Sequence, residues 1–263
     1  MKNISSSLVM YNYIDSVAVL TLNRPEKYHA FVKEMAIELQ NLLDRSEQDK
    51  NVRSILITSK GKAFCAGQDL SEAADPNGPT LKEIIRDHYN PIIEKIRKIE
   101  KPIICAVNGV AAGAGASIAL CCDIVVASES SSFTQAFSKI GLIPDSGGTF
   151  FLPRLIGTQK ATALMMTGEI VPAKEAEKMN MIYKVYSDDK FEEESLNLAI
   201  MLANMPTKAL SLTKKLLNAS LKNTLKEQLE LEEECQVIAG KTEDFKEGIT
   251  SFLEKRKPIF KGK

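Results

Sequence analysis

Histidine is scarce in these 263 residues, occurring only as His29 and His88, and neither lies in a context that suggests a metal cluster or a nucleophilic triad. A Ser-His-Asp hydrolase is disfavoured on that ground. Cysteine is confined to Cys65, Cys105, Cys121, Cys122 and Cys235, an odd set without a C-x-x-C pair. That pattern argues against a disulfide framework and a structural zinc, so no metal site is expected and the thiols read as small, buried, reduced apolar residues. Net charge is lacking as well. The 34 Lys and Arg balance 34 Asp and Glu, which removes any whole-surface attraction to nucleic acid or to an anionic membrane. Long apolar runs are missing: Ile103 to Val107 and Ile118 to Val126, the second interrupted by Asp123, fall well short of the roughly 20 residues of a membrane span. The opening MKNISSSLVMYNYID has no continuous apolar segment followed by a small-residue cleavage site. The expected location is the cytoplasm.

What is present is an alternation of strand and helix patterns. The length exceeds the roughly 100 to 200 residues usual for one domain, which fits one large α/β domain or a domain with an appendage. Two β-type runs, Leu8 to Tyr13 and Val17 to Leu22, flank the turn-like Ile14-Asp15-Ser16, and Met35, Leu39, Leu42 and Leu43 mark a helical stripe. A strand at Ser54 to Thr58 leads into a loop with Gly61 and AFCAGQDL, then a polar stretch from Glu72 to Pro79 with the character of an insertion, and a helix from Leu81 to Ile99. The unit recurs as strand Pro102 to Val107, a Gly/Ala-rich turn NGVAAGAGA, a helix to Leu120, a strand Asp123 to Ala127 and a short strand near Phe133. Spacing alone leaves two arrangements open, a coil of small sheets packed by helices or a doubly wound sheet.

From Thr158 the pattern is mainly helical, with amphipathic segments at Glu192 to Asn204, Lys208 to Ala219, Thr224 to Ile238 and Thr242 to Glu254. These helices serve either as an oligomerisation module or as a cap over the chain's own core.

Two Gly-bearing turns suit the stabilisation of a negatively charged oxygen by backbone N–H groups: Cys65-Ala66-Gly67-Gln68-Asp69, leaving a strand, and Gly113-Ala114-Gly115, opening a helix. Taken alone, a Gly-Ala-Gly turn before a helix is more often a close-packing device. Taken together, the ordered segments AFCAGQDL, NGVAAGAGASIALCCDIVVAS and FSKIGLIPDSGGTFFLPRLIG closely resemble the signature of the crotonase (enoyl-CoA hydratase/isomerase) superfamily. The likeness runs from NRPEKYHAF at residues 23–31 to SFLEKRKPIF near the end, nearly the whole chain.

That resemblance implies an α/β fold of the crotonase type, a spiral of repeated ββα units over residues 1–200, followed by a helical oligomerisation region over 201–263 that assembles trimers or dimers of trimers. It implies a CoA thioester substrate, with coenzyme A part of the substrate and no separate cofactor, and an oxyanion hole formed by the N–H groups of Gln68 and Ala114. It places Arg24 and Lys27 near the CoA phosphates, and Ala66, Gly67, Asp69 and Leu70 around the adenine end. Arg256 and Lys257 are further candidates to add charge to a neighbouring subunit's CoA site. Where relatives commonly carry Asn after NRP-x-x, this chain has His29.

The match departs from the family where a hydratase needs two glutamates to hold and deprotonate water: those positions carry Ser117 and Phe137. One carboxylate remains where related isomerases and a dehalogenase place theirs, Asp145 in GLIPDSGGT. Read without the family, an Asp before Ser-Gly-Gly-Thr is a helix N-cap; read with it, Asp145 is the acid/base, desolvated among Phe137, Ile143 and Phe150. The wording GVAAGAGAS, CAGQDL and FSKIGLIPDSGGT is most similar to the epoxyphenylacetyl-CoA isomerases of aerobic phenylacetate degradation. An isomerase is the favoured reading, with an enoyl-CoA hydratase and a catalytically silent acyl-CoA-binding subunit as alternatives.

Overall fold

A computed structural model describes residues 7–263. The chain enters as a hairpin, β1 (Val9–Ile14) and β2 (Val17–Leu22), paired antiparallel through Asp15 and Ser16. Both turn residues have positive φ, the primed-turn geometry whose twist suits a two-residue hairpin. Helix α1 (Lys33–Gln48) follows and buries Met35, Ala36, Leu39 and Leu43, with Leu42 packed at the margin. Strands β3 (Ser54–Ser59) and β4 (Ala63–Cys65) come next, then the short helices α2 (Leu70–Ala73) and α3 (Leu81–Glu83).

Between α3 and α4 (Asn90–Lys98) the helix widens into a π turn over Ile84–Tyr89, so the expected helix from 81 to 99 is continuous but not regular. Pro91 supplies the reason: it has no N–H for the Asp87 carbonyl one turn back. The Gln40 amide donates instead to the carbonyls of Asp87 and His88, at 2.9 and 3.0 Å.

The remaining strands are β5 (Ile103–Val107), β6 (Val110–Ala112), β7 (Ile124–Ser128), β8 (Ser132–Thr134), β9 (Ile170–Pro172) and β10 (Lys184–Tyr186). They are interleaved with α5 (Ala114–Leu120), α6 (Gly148–Ile156), α7 (Thr158–Thr167) and α8 (Ala173–Lys178), and are followed by α9 (Phe191–Ala203), α10 (Thr207–Ser220), α11 (Leu225–Ala239) and α12 (Glu243–Leu253). Three short strands depart from the sequence expectation. The turn NGVAAGAGA contains β6, and the stretch after Thr158 contains β9 and β10. Three residues give too few alternations for a period-2 signal to emerge.

The strands divide between two sheets. One has the order β1-β2-β3-β5-β7-β10 and the other β4-β6-β8-β9. The three units β3-β4, β5-β6 and β7-β8 each give their first strand to the large sheet and their second to the small one, so the parallel neighbours β3, β5 and β7 advance in step with β4, β6 and β8. This is the spiral of ββα turns, not a doubly wound sheet.

The large sheet is buried on both faces, which explains why its strands read as near-continuous Val, Ile, Leu and Ala. Ala18, Leu20, Ile55, Ile57, Ile103 and Cys105 face the main core with α1 and α4; Val17, Val19, Leu56, Ile104 and Ala106 face the opposite side, where α9 covers them with Phe191, Ala199 and Ala203. The expected boundary at residue 200 falls within α9. Helix α10 docks back on α4: Lys214 Nζ donates to the Ile96 carbonyl at 2.7 Å and pairs with Asp123 at 2.8 Å. Among the described residues no helix is long and apolar enough to cross a membrane.

Candidate active site

The site begins with two segments laid side by side. In NRPEKYHAF a single 3-10 turn, Pro25–Lys27, is followed by two consecutive left-handed residues, Tyr28 and His29. His29 is fully buried and anchors this reversal. The Arg24 N–H donates to its Nδ1 at 2.9 Å, which leaves the proton on Nε2, 2.7 Å from the Lys60 carbonyl. Burial, the largest influence, lowers the pKa of His29 and favours this neutral form. His29 is thus a latch of the loop, which is the physical role of the residue standing where relatives commonly have Asn.

The reversal presents backbone to the segment after β4. Ala66 N–H donates to Tyr28 O at 2.9 Å, Phe31 N–H to Gly67 O at 2.7 Å and Asp69 N–H to Phe31 O at 2.9 Å. These bonds fix the peptides on either side of Gln68 and leave its own N–H pointing the other way, with no acceptor among the described residues.

Helix α5 brings the second donor. Gly115 is packed so tightly on Cys65 that a Cβ there would lie 2.6 Å from the Cys65 Cβ, O and Sγ. Gly67, at φ +92°, has its missing Cβ position 3.5 Å from Ala114 N and 3.1 Å from Ala112 O. Glycine at both places lets the two turns touch. Ala114 is the first residue of α5, so its N–H has no carbonyl one turn back to bond. Two unpaired donors from adjoining turns form a receptacle for a negatively charged oxygen.

Asp145 lies on the loop before α6, which packs on α5 where a Cβ on Gly148 would meet Ser117 Oγ. The N-cap of α6 is Gly147, with no side-chain cap, so the Asp145 carboxyl is not spent on the helix end. Its carbonyl accepts the Gly148 N–H at 2.8 Å, and Ser146 Oγ donates to Oδ1 at 2.9 Å. Burial is the dominant influence and raises the pKa of the carboxyl, with the Ser146 bond opposing. Of the three apolar side chains expected around it, Ile143 is 80% exposed and does not shield the carboxyl, Phe137 is buried near Gly113, and Phe150 is half-buried against Phe151 and Arg154. The loop carries Ile143 outward because Gly141 and Pro144 turn the chain before it can fold in.

Near this loop are groups without partners. Ser117 Oγ and both polar atoms of the Gln135 amide are buried and unbonded among the described residues. A Cβ on Gly148 would sit 2.8 Å from that Oγ and 3.4 Å from Gln135 Oε1, so the two side chains border the same small space.

Two residues of the site carried no sequence signal. Tyr89, from the π turn, donates its hydroxyl to Gln68 Oε1 at 2.9 Å, and Glu72 accepts the Gln68 Nε2 at 2.7 Å. Burial foremost, then the charges of Cys65, Asp145 and Glu72, hold the Tyr89 phenol well above its ordinary pKa. Cys65, fully enclosed, has its thiol pushed up to about 12 by burial and is inert packing.

At the expected CoA end, Arg24 is engaged: it forms an ion pair with Asp69 at 2.7 Å and donates to Ala30 O at 2.8 Å. Asp69 in turn caps α2 through Ser71 N–H at 2.9 Å; burial alone would raise its pKa, and the bonds from Arg24 and Ser71 bring it below the ordinary value. Lys27, Ala66 and Leu70 are exposed around this pair, and Gly67 is buried between the two turns. Arg256 is paired with Glu247 and Glu254, each at 2.6 Å.

The spiral of ββα turns with helices at its C-terminal end is a fold of the crotonase type. The sequence profile described as enoyl-CoA hydratase/isomerase matches residues 13–263. The chain is 46% identical to the 1,2-epoxyphenylacetyl-CoA isomerase of Escherichia coli, over 94% of this chain and 95% of that one. It is 41% identical to a protein of Rhodobacter capsulatus described as a probable enoyl-CoA hydratase, over 97% and 98% of the two chains. Among solved structures, the enoyl-CoA hydratase of Bacillus anthracis superposes with a TM-score of 0.91 at 32% identity, covering 97% of this chain and 100% of that one. The chain belongs to the enoyl-CoA hydratase/isomerase family, whose members act on CoA thioesters.

Proposed function

We propose that this enzyme is an acyl-CoA isomerase that shifts a double bond, acting on a 2-enoyl/3-enoyl thioester or on a ring counterpart such as epoxyphenylacetyl-CoA. The thioester oxygen binds between the N–H groups of Gln68 and Ala114. The Asp145 carboxylate removes a proton from the α-carbon, electrons flow into the thioester carbonyl, and the resulting enolate is held by the two donors. Asp145, now a carboxylic acid, returns the proton at the far end of the conjugated system. One group serves both transfers, so a single carboxyl suffices.

The observation that carries this reading is a desolvated Asp145, free of any capping duty, in a site whose hydratase glutamate positions hold Ser117 and Phe137. The identity to an isomerase supports it. Coenzyme A enters as part of the substrate: Lys27 meets its phosphates, Ala66, Gly67 and Leu70 border the adenine, and Arg24 acts by fixing Asp69. The helices after residue 200 are the oligomerisation region of a homotrimer or dimer of trimers. In support, the exposed Phe252 and Leu253 of α12 line, with Phe245, Ile249 and Phe260, a groove of about 510 Å³ that a second copy would cover, and Leu225 and Leu229 are exposed on α11. Sedimentation analysis tests that assembly, and a monomer at micromolar concentration overturns it.

The activity is tested by comparing the wild type with Asp145→Asn on a 3-enoyl-CoA, following conjugation by absorbance, with hydration of crotonyl-CoA in parallel. Isomerisation that falls a hundredfold or more in the variant, with negligible hydration in both, is the expected result. Brisk hydration that survives the substitution makes the protein a hydratase with another base.

A further inference from the structure

The oxyanion donor at Gln68 is held by more than its own backbone. Its side-chain amide is gripped at both ends: Oε1 accepts from Tyr89 Oη at 2.9 Å, and Nε2 donates to Glu72 Oε2 at 2.7 Å. The other Glu72 oxygen accepts the Lys33 N–H at 2.9 Å, the first free donor of α1. A chain of hydrogen bonds thus runs from the π turn through the oxyanion loop and α2 to the start of α1.

The polarity of this chain is fixed. Glu72 has only acceptors when ionised, so it selects the amide orientation with Nε2 facing it, and the opposite face of the amide then requires a donor. Tyr89 is 1% exposed and packed on Phe31 at a ring-centroid separation of 5.8 Å, leaving its hydroxyl no competing water. The widened turn ending at Tyr89 is the costly local geometry that sets this ring over the loop, and such single π turns in α-helices gather at functional sites.

We propose that Tyr89 and Glu72 are positioning residues: by clamping the Gln68 amide from both ends they hold the Gln68 peptide so that its N–H aims at the thioester oxygen as charge develops there. Neither touches the reacting atoms. The effect falls on the enolate more than on the ground-state thioester, because a donor that rotates away loses most against the full negative charge.

The inference rests on the isomerase reading only for its turnover arm. In that arm Tyr89→Phe, which preserves the ring packing, lowers kcat for 3-enoyl-CoA isomerisation roughly tenfold and leaves KM within about twofold. A binding arm needs no turnover: acetoacetyl-CoA, whose β-keto group makes its α-carbon acidic enough to give an enolate followed by its absorbance in mildly alkaline buffer, is compared with butyryl-CoA, which does not enolise readily. Tyr89→Phe and Glu72→Ala weaken the first roughly tenfold and leave the second within about twofold. Glu72→Gln keeps one acceptor for Gln68 and recovers most of the loss relative to Glu72→Ala, which separates positioning from a general loss of fold. Should the wild type fail to isomerise, the activity reading fails while the binding arm still decides this one. If Tyr89→Phe folds with the wild-type melting temperature and binds the acetoacetyl enolate as tightly, or weakens both ligands equally, the proposal is overturned.

Discussion

The two walls of the site are built differently. The oxyanion wall, from residues 24–31, 65–69 and 113–115, is a lattice of backbone bonds and glycine contacts, with His29 sealed under it and Gly115 pressed on Cys65. The Asp145 wall, from residues 135–148 and the Ser117 face of α5 that α6 packs against, carries one desolvated carboxyl, an outward Ile143 and the unpartnered atoms of Ser117 and Gln135. Stabilising an enolate demands fixed donors, so the first wall is over-determined. On the proposed reading, which reaction follows depends on where protons or water are delivered, and so on a few side chains of the second wall.

The comparison is broken most forcefully at Asp145. Asp145→Asn is expected to abolish the proton shuttle at a cost of about a hundredfold or more in kcat while leaving thioester binding intact. The same variant tests stability linkage. Because burial raises the folded-state pKa of Asp145, the folded protein binds this proton more tightly than the unfolded chain; the benefit is complete below the unfolded pKa and lost as pH rises through the folded one. At neutral pH the ionised buried carboxylate is a burden, so Asp145→Asn raises the melting temperature there and the gain shrinks on acidification. The acid limb of wild-type kcat reports the same group and lies above the ordinary Asp value. An unchanged melting temperature at both pH values overturns the desolvation argument.

Next in size is Gly115→Ala on the rigid wall. Its Cβ has no room beside Cys65, so the variant is expected to lose about 1 to 3 kcal/mol of stability in denaturant titration, together with a kcat deficit as Ala114 is displaced. If kcat is retained once folding is restored by lower temperature, the donor placement is less stringent than the packing suggests. The smallest effect is expected on the other wall: Ser117→Ala removes a hydroxyl that bonds nothing, and thermal unfolding should shift by no more than about 0.5 kcal/mol in either direction. A loss well beyond that identifies a hidden partner for Ser117.

Much of the site was legible in order along the chain. Gln68 and Ala114 follow Gly67 and Gly113, glycines that allow turns no other residue makes comfortably, and Asp145 stands alone where a carboxyl was needed. Tyr89 was not legible, since a tyrosine within a helical pattern reads as core until a π turn directs its hydroxyl. Glu72 fell in a stretch read as an insertion, yet Asp69 caps α2 there and returns it to the oxyanion loop. Arg24 was assigned to phosphate from its place in NRPEK; its neighbour Asp69 is 45 positions away in sequence and only the fold brings them to 2.7 Å.

What the sequence determined by itself is the alternation of buried strands and amphipathic helices, and the capped starts at Thr80 and Thr224, because these depend on periodicity and on side chains within one turn of each other. It also determined that Ser117 and Phe137, neither of them a carboxylate, stand at their two positions in any fold. Tertiary structure alone decided that β4, β6 and β8 leave for a separate sheet, that the two glycine turns meet, and that one carboxyl loses its water while another forms an ion pair. Those outcomes rest on contacts between segments distant in sequence, whose energies come from packing and desolvation that no local pattern encodes.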